Sequence, residues 1–330
     1  HVHAEGETPL LCADNDCRVT KIGRLAFANS TPLAQIDLQT NDAIEIDNSA
    51  FENTTWYNNQ TDKIVYINDV AYKYIGDDSP SKITFKDGTT NIAANFMKDN
   101  KELEEVELPS SLLSIGCSAF ENCTNLKTIH FPTKIRSICR SAFANCRSIE
   151  SVRLSSSISN IDDYAFENCS SIGEIRIDNA TCSIGVATFR NCSALQYAFV
   201  GDNITSIGDM AFSFCSNLKG INDEKSIVLP QNLKTINYAT FYGCENLNGK
   251  ITMPYNVSTI RDLAFGGCRG IHSVELSKKT DSISLSAFDK ARNFTRYVKS
   301  QNDKFNVHNG VLYSNNMATL YHCPEGYRNS

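Results

Sequence analysis

The sequence predicts a β-rich solenoid, an elongated domain of about eleven stacked coils of roughly 23 residues each. Three observations predict this fold. Seven phenylalanines are followed three residues later by cysteine, and between Phe120 and Phe212 the step is 23 residues four times in succession. A fixed period in this range indicates repeats that each bury their apolar face only against their neighbours. Phenylalanine recurs at Phe27, Phe51, Phe96, Phe120, Phe143, Phe166, Phe189, Phe212, Phe241, Phe265 and Phe288.

One repeat, from Phe120 to Phe143, shows which elements each coil contains. Its apolar spacing predicts a short strand over residues 129–131, because a period-2 step occurs there. Residues 119–122 leave room for no more than one helical or 3₁₀ turn. Clustered Asn, Ser and Thr and several prolines mark turns. A sustained 3.6-residue stripe is missing, which argues against helical repeats of the TPR or HEAT kind.

Two segments resemble a known family. LPSSLLSIGCSAFENCTNLKTI (108–129) and SIGDMAFSFCSNLKGI (206–221) resemble the BspA-type leucine-rich repeat of bacterial and protist surface proteins. The resemblance extends over about 19–55 and 81–295. It implies a leucine-rich repeat solenoid in a secreted or cell-surface binding protein, sometimes one that serves in cell adhesion. The family does not fix the ligand.

Departures from the period predict how one elongated domain is divided. A 45-residue step separates Phe51 from Phe96, and alternating apolar residues over 62–74 predict a β-hairpin turning near Asn68. We expect an N-terminal cap segment (1–18), first repeats (19–55), a β-hairpin insertion (56–80), the main repeat array (81–295) and a C-terminal hairpin cap (296–330).

Other irregularities mark a loop and the end of the array. Six extra residues near 222–227 predict a loop on one face, and Ala291 stands at the cysteine position after Phe288. Segments 56–77 and 307–326 resemble hairpins found in bacterial members of the family.

The composition limits which kinds of partner and which cellular location are expected for this protein. The net charge of −6 without a dense Lys/Arg run makes nucleic acid a poor partner. No apolar stretch approaches the ~20 residues of a membrane-spanning helix. Because His1-Val2-His3 is not a natural start, we expect that an export signal has been removed and that the protein is secreted or at the cell surface. We expect a monomer.

Thirteen cysteines raise the question of a disulfide framework. Seven occupy one repeat register at an apolar position, which favours buried free thiols; occasional disulfides between neighbouring coils are the alternative. Cys12 and Cys17 lie in a polar segment and could close a small disulfide loop. Cys117, Cys139 and Cys182 lie off the register and are interpreted as structural.

Catalytic and cofactor signatures are missing from the sequence. No histidine accompanies a nucleophile elbow, a His-Glu-x-x-His motif or a phosphate-binding glycine loop. We therefore expect no enzyme, no cofactor and no metal. His1 and His3 could bind copper or nickel in a square-planar site. A processing boundary at the start of the chain is the alternative explanation for the same two residues.

The outward side of the predicted strands is the best candidate for a binding surface. Stacking should align outward residues in columns, which places a basic run directly before two aromatic side chains. Arginines could pair with an acidic partner, and aromatic rings could stack on a sugar or peptide. The predicted partner-binding residues are His130, Arg153, Arg176, Tyr197 and Phe199.

An alternative interpretation gives these aromatics a structural role. Tyr197 and Phe199 would then pack under the hairpin insertion or a neighbouring loop, or fill a cross-strand pair. The main functional hypothesis is an exported, non-enzymatic, adhesin-like module that binds a host or cell-surface protein or glycan through the strand face. The second is a structural spacer or envelope component that displays another domain. A third, an exported hydrolase, would need a catalytic domain beyond this sequence.

Overall fold

The computed structural model describes residues 19–37, 44–178, 181–224, 226–298 and 301–327. These residues form a β-solenoid of about 12 turns with almost no helix, which confirms the predicted stack of repeats and adds about one turn to the expected eleven. The predicted Cys12–Cys17 loop and the His1 and His3 pair lie outside the described residues.

The strands are short and follow one another through turns. The first are β1 (Lys21–Ile22), β2 (Glu45–Ile46), β3 (Ile64–Ile67), β4 (Val70–Tyr74), β5 (Lys82–Thr84), β6 (Asn91–Ile92), β7 (Glu105–Glu107), β8 (Ser114–Ile115) and β9 (Thr128–Ile129), with one helix, α1 (Thr55–Asn58), before β3. Then come β10 (Ser137–Ile138), β11 (Ser151–Leu154), β12 (Asn160–Ile161), β13 (Glu174–Ile177), β14 (Ser183–Ile184), β15 (Tyr197–Phe199), β16 (Ser206–Ile207) and β17 (Gly220–Ile221). The last are β18 (Thr235–Ile236), β19 (Gly249–Thr252), β20 (Thr259–Ile260), β21 (Ile271–Glu275), β22 (Ser282–Ile283), β23 (Arg296–Val298), β24 (Phe305–His308), β25 (Val311–Ser314) and β26 (Leu320–His322).

Each regular coil contributes two strands, whereas the sequence predicted one. The first belongs to the parallel sheets β5-β7-β9, β11-β13-β15-β17 and β19-β21-β23, and the second to sheets such as β16-β14-β12-β10-β8-β6. The second strand escaped prediction because two residues cannot display alternation, and its partners lie a full repeat away. The strand predicted over 129–131 is also shifted, since β9 ends at Ile129.

A chain of turns replaces the predicted single helical turn before each cysteine. Successive backbone amides donate alternately to carbonyl oxygens of the next coil and of their own coil. Phe120 N donates to Ala142 O in the next coil, whereas Cys123 N donates to Phe120 O in the same coil. This alternation requires left-handed backbone, and φ is 55° at Ser118 and 64° at Asn122. Asparagine tolerates that region better than most residues, which explains its recurrence at this position.

Phenylalanine and cysteine columns form the core. From Phe120 to Phe288 adjacent rings stack with centroids 5.3–5.6 Å apart and interplanar angles of at most 19°. The seven register cysteines are buried free thiols, as predicted. Each thiol donates to a carbonyl oxygen of the preceding coil at 3.0–3.4 Å, as Cys169 does to Phe143. The small thiol therefore fills space and satisfies a buried acceptor.

The N-terminal hairpin joins the stack rather than lying on its surface. Strands β3 and β4 pair in antiparallel fashion, and β4 then pairs in parallel with β6. Tyr72 fills the core there: its hydroxyl donates to Asn48 O and accepts from Phe51 N. At the other end, β24, β25 and β26 form an antiparallel sheet beside the last coil, where Tyr297 N donates to Gly310 O.

An asparagine ladder on the row of turns supports a first prediction. Asn168 donates to Asn145 and accepts from Asn191, with φ at 60°. Replacing Asn168 by alanine should lower the free energy of unfolding by about 2–4 kcal/mol, because two hydrogen bonds are lost and alanine tolerates left-handed backbone less well than asparagine does. Urea denaturation measures this loss. Asn168→Gly loses the same hydrogen bonds without the backbone strain, so it should cost about half as much; equal losses would refute the strain argument.

Candidate functional site

Four of the five predicted partner-binding residues lie in register on neighbouring strands. Arg153, Arg176 and Phe199 are direct parallel partners on β11, β13 and β15, and Tyr197 pairs with Glu174 one column away. Between these columns the side chains of Val152, Ile175 and Ala198 point into the core. We call the exposed side of these first strands the strand face. His130 follows the end of β9, is exposed, and lines the same concavity as Arg153.

Glu174 neutralises much of the predicted basic run. Its carboxylate accepts from Arg153 at 3.2 Å and from Arg176 at 2.7 Å, so two guanidinium groups share one acid. The hydrogen bond to Glu174 raises the pKa of Arg176. The predicted basic run thus carries less free positive charge than its sequence suggests, because repeat stacking places an acid of one coil beside the arginines of two coils. Arg153 still has 70 % of its side chain exposed, and Arg176 has 37 %.

The two aromatic side chains form a half-buried surface held by charged neighbours. Arg176 lies over the Phe199 ring at 3.9 Å from its centroid, and Lys219 lies 6.0 Å from that of Tyr197. The Tyr197 and Phe199 centroids are 6.5 Å apart. The hairpin of β3 and β4 pairs with the other sheet, at β6, so it does not cover these rings. The two other contacts of the structural alternative are present: Phe199 fills a cross-strand pair with Arg176, and a neighbouring loop lies beside it.

That loop is the six-residue insertion at 222–227, and it builds a groove beside Phe199. Asn222 Oδ1 accepts from the amides of Val200 and Gly201, while its amide nitrogen donates to Val228 O. The first groove has a volume of about 540 Å³ and is lined by Ile177, Asp178, Phe199, Gly201, Asp202, Asn222 and Val228. Two carboxylates and one aromatic edge thus border the same concavity.

A second groove, of about 630 Å³, lies on the other side of the loop. Ile227 forms parallel bridges to Ile221 and Ile251, so the insertion continues the sheet at this point. The register of β19 against β21 shifts between Gly249 and Lys250. The second groove is lined by residues 226–229, Gln231, Lys250, residues 252–255, residues 275–278 and Gln301. Sequence reasoning identified the loop but not this groove.

Another aromatic cluster, also missed from the sequence, lies on the row of turns. Phe214 is 49 % exposed and meets Tyr242 edge-on, with ring centroids 5.3 Å apart, and Tyr238 is 41 % exposed. We call Phe214, Tyr238 and Tyr242 the turn-face cluster. Phe214 stands at a turn position where four preceding repeats carry asparagine, and that departure was the signal available in the sequence. The turn-face cluster is a rival to the strand face as a contact surface.

Apart from Cys323, an exposed free thiol, the described cysteines are buried or disulfide-bonded. Cys117 and Cys139 form a disulfide between neighbouring coils, and Cys182 is a buried free thiol. Among the described residues, Glu45, Cys117 and Cys139 are the one group of three metal-ligating side chains close together, with ligand atoms within 4.8 Å. Since both sulfurs are in the disulfide, no thiolate is available there. Burial raises the pKa of the Cys123 thiol to about 12 and that of Cys182 to about 11.

A family model and solved structures match this chain. The model described as "BspA type Leucine rich repeat region" matches residues 14–101, 90–219 and 221–324. A leucine-rich repeat protein from Bacteroides ovatus shares 22 % identity over 84 % of this chain and 70 % of its own, with a TM-score of 0.56. This likeness concerns the fold.

Two further solved structures are less similar. The Treponema (T. pallidum) leucine-rich repeat protein shares 22 % identity over 61 % of this chain and 82 % of its own, with a TM-score of 0.43. The pneumococcal vaccine antigen PcpA shares 21 % identity over 69 % and 74 %, with a TM-score of 0.40. No curated protein matches the chain. Within the described residues, no helix has the length and apolar character needed to cross a membrane.

Proposed function

Because this chain belongs to the BspA-type leucine-rich repeat family, we propose that it is an exported, non-enzymatic binding module. It acts in adhesion by recognising a protein or glycan on a host or another cell through its strand face. Repeat proteins of this kind offer extended surfaces on a rigid stack. The observation that carries the proposal is the surface of Tyr197 and Phe199 bordered by Arg153 and Arg176, with the first groove beside it.

Preorganisation makes this surface suited to binding. Arg176 is fixed by Glu174 on one side and by the Phe199 ring on the other, so little side-chain entropy is lost when a partner docks. Arginine and aromatic side chains are the residue types enriched at interface hot spots. Arg153, with most of its side chain in solvent, keeps donor groups free for a partner's carboxylate or hydroxyl groups.

A structural spacer remains the second candidate, and one observation favours it. Near the N-terminal end the strand face is covered by mutually satisfied ion pairs: Lys82 bonds Glu105 and Glu107, and Lys127 bonds Glu104. Such exposed pairs add solubility and little binding energy. In the spacer interpretation the whole strand face would behave like this part.

A binding screen tests the proposal. The purified protein would be presented to matrix proteins, mucins and polysaccharides beside an Arg176→Ala/Phe199→Ala double variant. We expect at least one ligand to bind and the double variant to weaken that binding by about 10–100-fold, because hot-spot truncations cost about 1.4–2.8 kcal/mol or more.

The control variant is Lys82→Ala, which removes a strand-face side chain outside the proposed site. It should leave binding within about twofold, since its ion pairs are exposed. Circular dichroism and thermal unfolding check that both variants are folded. Binding that survives the double variant would move the site elsewhere, and no binding across the screen would favour the spacer.

A further inference from the structure

We infer that the second groove is a saccharide-binding subsite for an acidic polysaccharide, a chain of hexoses that carry carboxylate or sulfate groups. The inference rests on the proposed function, because it takes the strand face as the binding face. The groove lies two to three coils away from the predicted patch and is separated from the first groove by loop 222–227. Its lining, charge and backbone pairing each support this class of ligand.

The lining combines one exposed ring with neutral hydrogen-bonding side chains. Tyr255 is 57 % exposed, and its neighbour in the wall, Val228, is 40 % exposed. Gln231, Thr252 and Gln301 line the same concavity. A hexose presents an apolar face of C–H groups and a rim of hydroxyls, so a ring flanked by amides and a hydroxyl matches both. The volume of about 630 Å³ suits a few sugar units rather than a folded domain.

The charge of the groove favours an anionic chain. Lys250 and Glu275 pair with each other and cancel in charge. The net positive charge of the groove lining then comes from Lys278. Lys278 is exposed, and within the described part of the chain its ammonium has no ion-pair partner. Lys279 lies over the Tyr255 ring at 4.6 Å from the centroid and bonds the Asn256 side chain. One lysine therefore lines the groove and the ammonium of another lies over its exposed ring, a charge arrangement that favours an anionic ligand.

The backbone here disfavours an extended peptide as the occupant. Peptides that bind sheets usually pair with a free strand edge. At this groove β19 is paired with β21 and also bridged to Ile227, so both of its edges are occupied. Recognition must then come from side chains, which is the mode that saccharides use.

The test is a titration of the full chain with three polysaccharide probes of similar length. Hyaluronan oligosaccharide carries carboxylates, heparin oligosaccharide carries sulfates as well, and dextran is neutral. We expect one or both acidic chains to bind and dextran to bind at least about tenfold more weakly. Affinity should fall as salt is raised from about 50 to 300 mM, since exposed charges are screened. Stronger binding of heparin than of hyaluronan would identify sulfate as the recognised group, and the reverse would identify the carboxylate.

Matched variants locate the site. Tyr255→Ala should weaken binding about tenfold, and Lys278→Gln should weaken it about threefold or more and flatten the salt dependence. Lys134→Gln removes the same charge from an exposed position outside the groove and should change affinity less than twofold. Tyr255 is exposed, so its truncation should leave the thermal midpoint unchanged.

Several results would overturn the inference. These are the absence of binding by either acidic chain, equal binding of dextran, unchanged affinity in Tyr255→Ala, or equal losses in Lys134→Gln and Lys278→Gln. A protein ligand that is lost in Tyr255→Ala while no saccharide binds would make the groove a peptide site. A partner lost in Arg176→Ala/Phe199→Ala alone would leave the proposed function standing while this inference fails.

Discussion

Raising the pH from 8 to 10 is expected to unfold the protein. The reason is the column of buried thiols, whose pKa values are raised by burial above the ordinary 9.0, to about 12 at Cys123. The others with raised pKa values are Cys146, Cys169, Cys192, Cys215, Cys244 and Cys268. In the unfolded chain these groups ionise near pH 9, whereas in the fold they stay protonated.

The sign follows from proton linkage. Above pH 9 the unfolded state binds fewer protons than the folded state, so the free energy of unfolding falls as pH rises toward the folded pKa. Each buried thiol lowers it by about 1.4 kcal/mol per pH unit, and seven together lower it by about 10 kcal/mol at pH 10. This loss is comparable to the whole stability of many domains, which is about 5–15 kcal/mol. Below pH 9 the contribution of the thiols is fully present.

Urea denaturation at pH 7, 8, 9 and 10 measures this effect. A thiol reductant is kept in every sample, so that the state of the disulfide is constant. In a Cys169→Ala/Cys192→Ala variant two titrating groups are lost, and the slope of unfolding free energy against pH should be shallower by about 2.7 kcal/mol per unit. A urea midpoint that is the same at pH 8 and pH 10 would show that the thiols are not buried and protonated.

Truncating one ring of the phenylalanine column should have the second large effect. Phe166 is completely buried, with the Phe143 and Phe189 centroids at 5.3 and 5.5 Å and the Phe131 ring edge-on at 6.1 Å. Phe166→Ala should lower the free energy of unfolding by about 3–5 kcal/mol. Because each coil contacts only its neighbours, unfolding should also separate into two phases on either side of the cavity.

An exposed phenylalanine provides the control for this measurement. Phe214 is 49 % exposed and makes one edge contact with Tyr242, so Phe214→Ala should cost about 1 kcal/mol or less. Denaturation of both variants, followed by circular dichroism, gives the comparison. Equal losses, or a single transition with an unchanged midpoint in Phe166→Ala, would mean that the column does not hold the coils together.

The repeat register was predictable because it depends on local sequence. The spacing of Phe166 and Cys169 against their counterparts a period away identifies the buried column directly, since the pair Phe-x-x-Cys recurs at that period. The second strand was not predictable in the same way. A strand such as β12, with two residues, exists because β10 and β14 lie on either side of it, and that pairing is a property of the stack.

The candidate site was predictable only in part, for a related reason. Stacking was sufficient to place Arg153, Arg176 and Phe199 side by side. The sequence placed Glu174 in the outward column beside the arginines. Its hydrogen bonds to both Arg153 and Arg176 depend on side-chain geometry across two coils, which the sequence does not give. The grooves arise where loop 222–227 interrupts the period, and an insertion has no repeat from which its path could be inferred.

The most direct test of the account compares how much the strand-face aromatics and the turn-face cluster each contribute to binding of the ligand found in the screen. One variant, Tyr197→Ala/Phe199→Ala, alters the strand face, and the other, Phe214→Ala/Tyr238→Ala/Tyr242→Ala, removes the turn-face cluster. Affinities of both are measured by titration after their folding is verified. The account predicts that the first variant weakens binding by at least about tenfold and that the second stays within about twofold of the parent. Loss of binding in the turn-face variant alone would contradict the strand face as the binding surface.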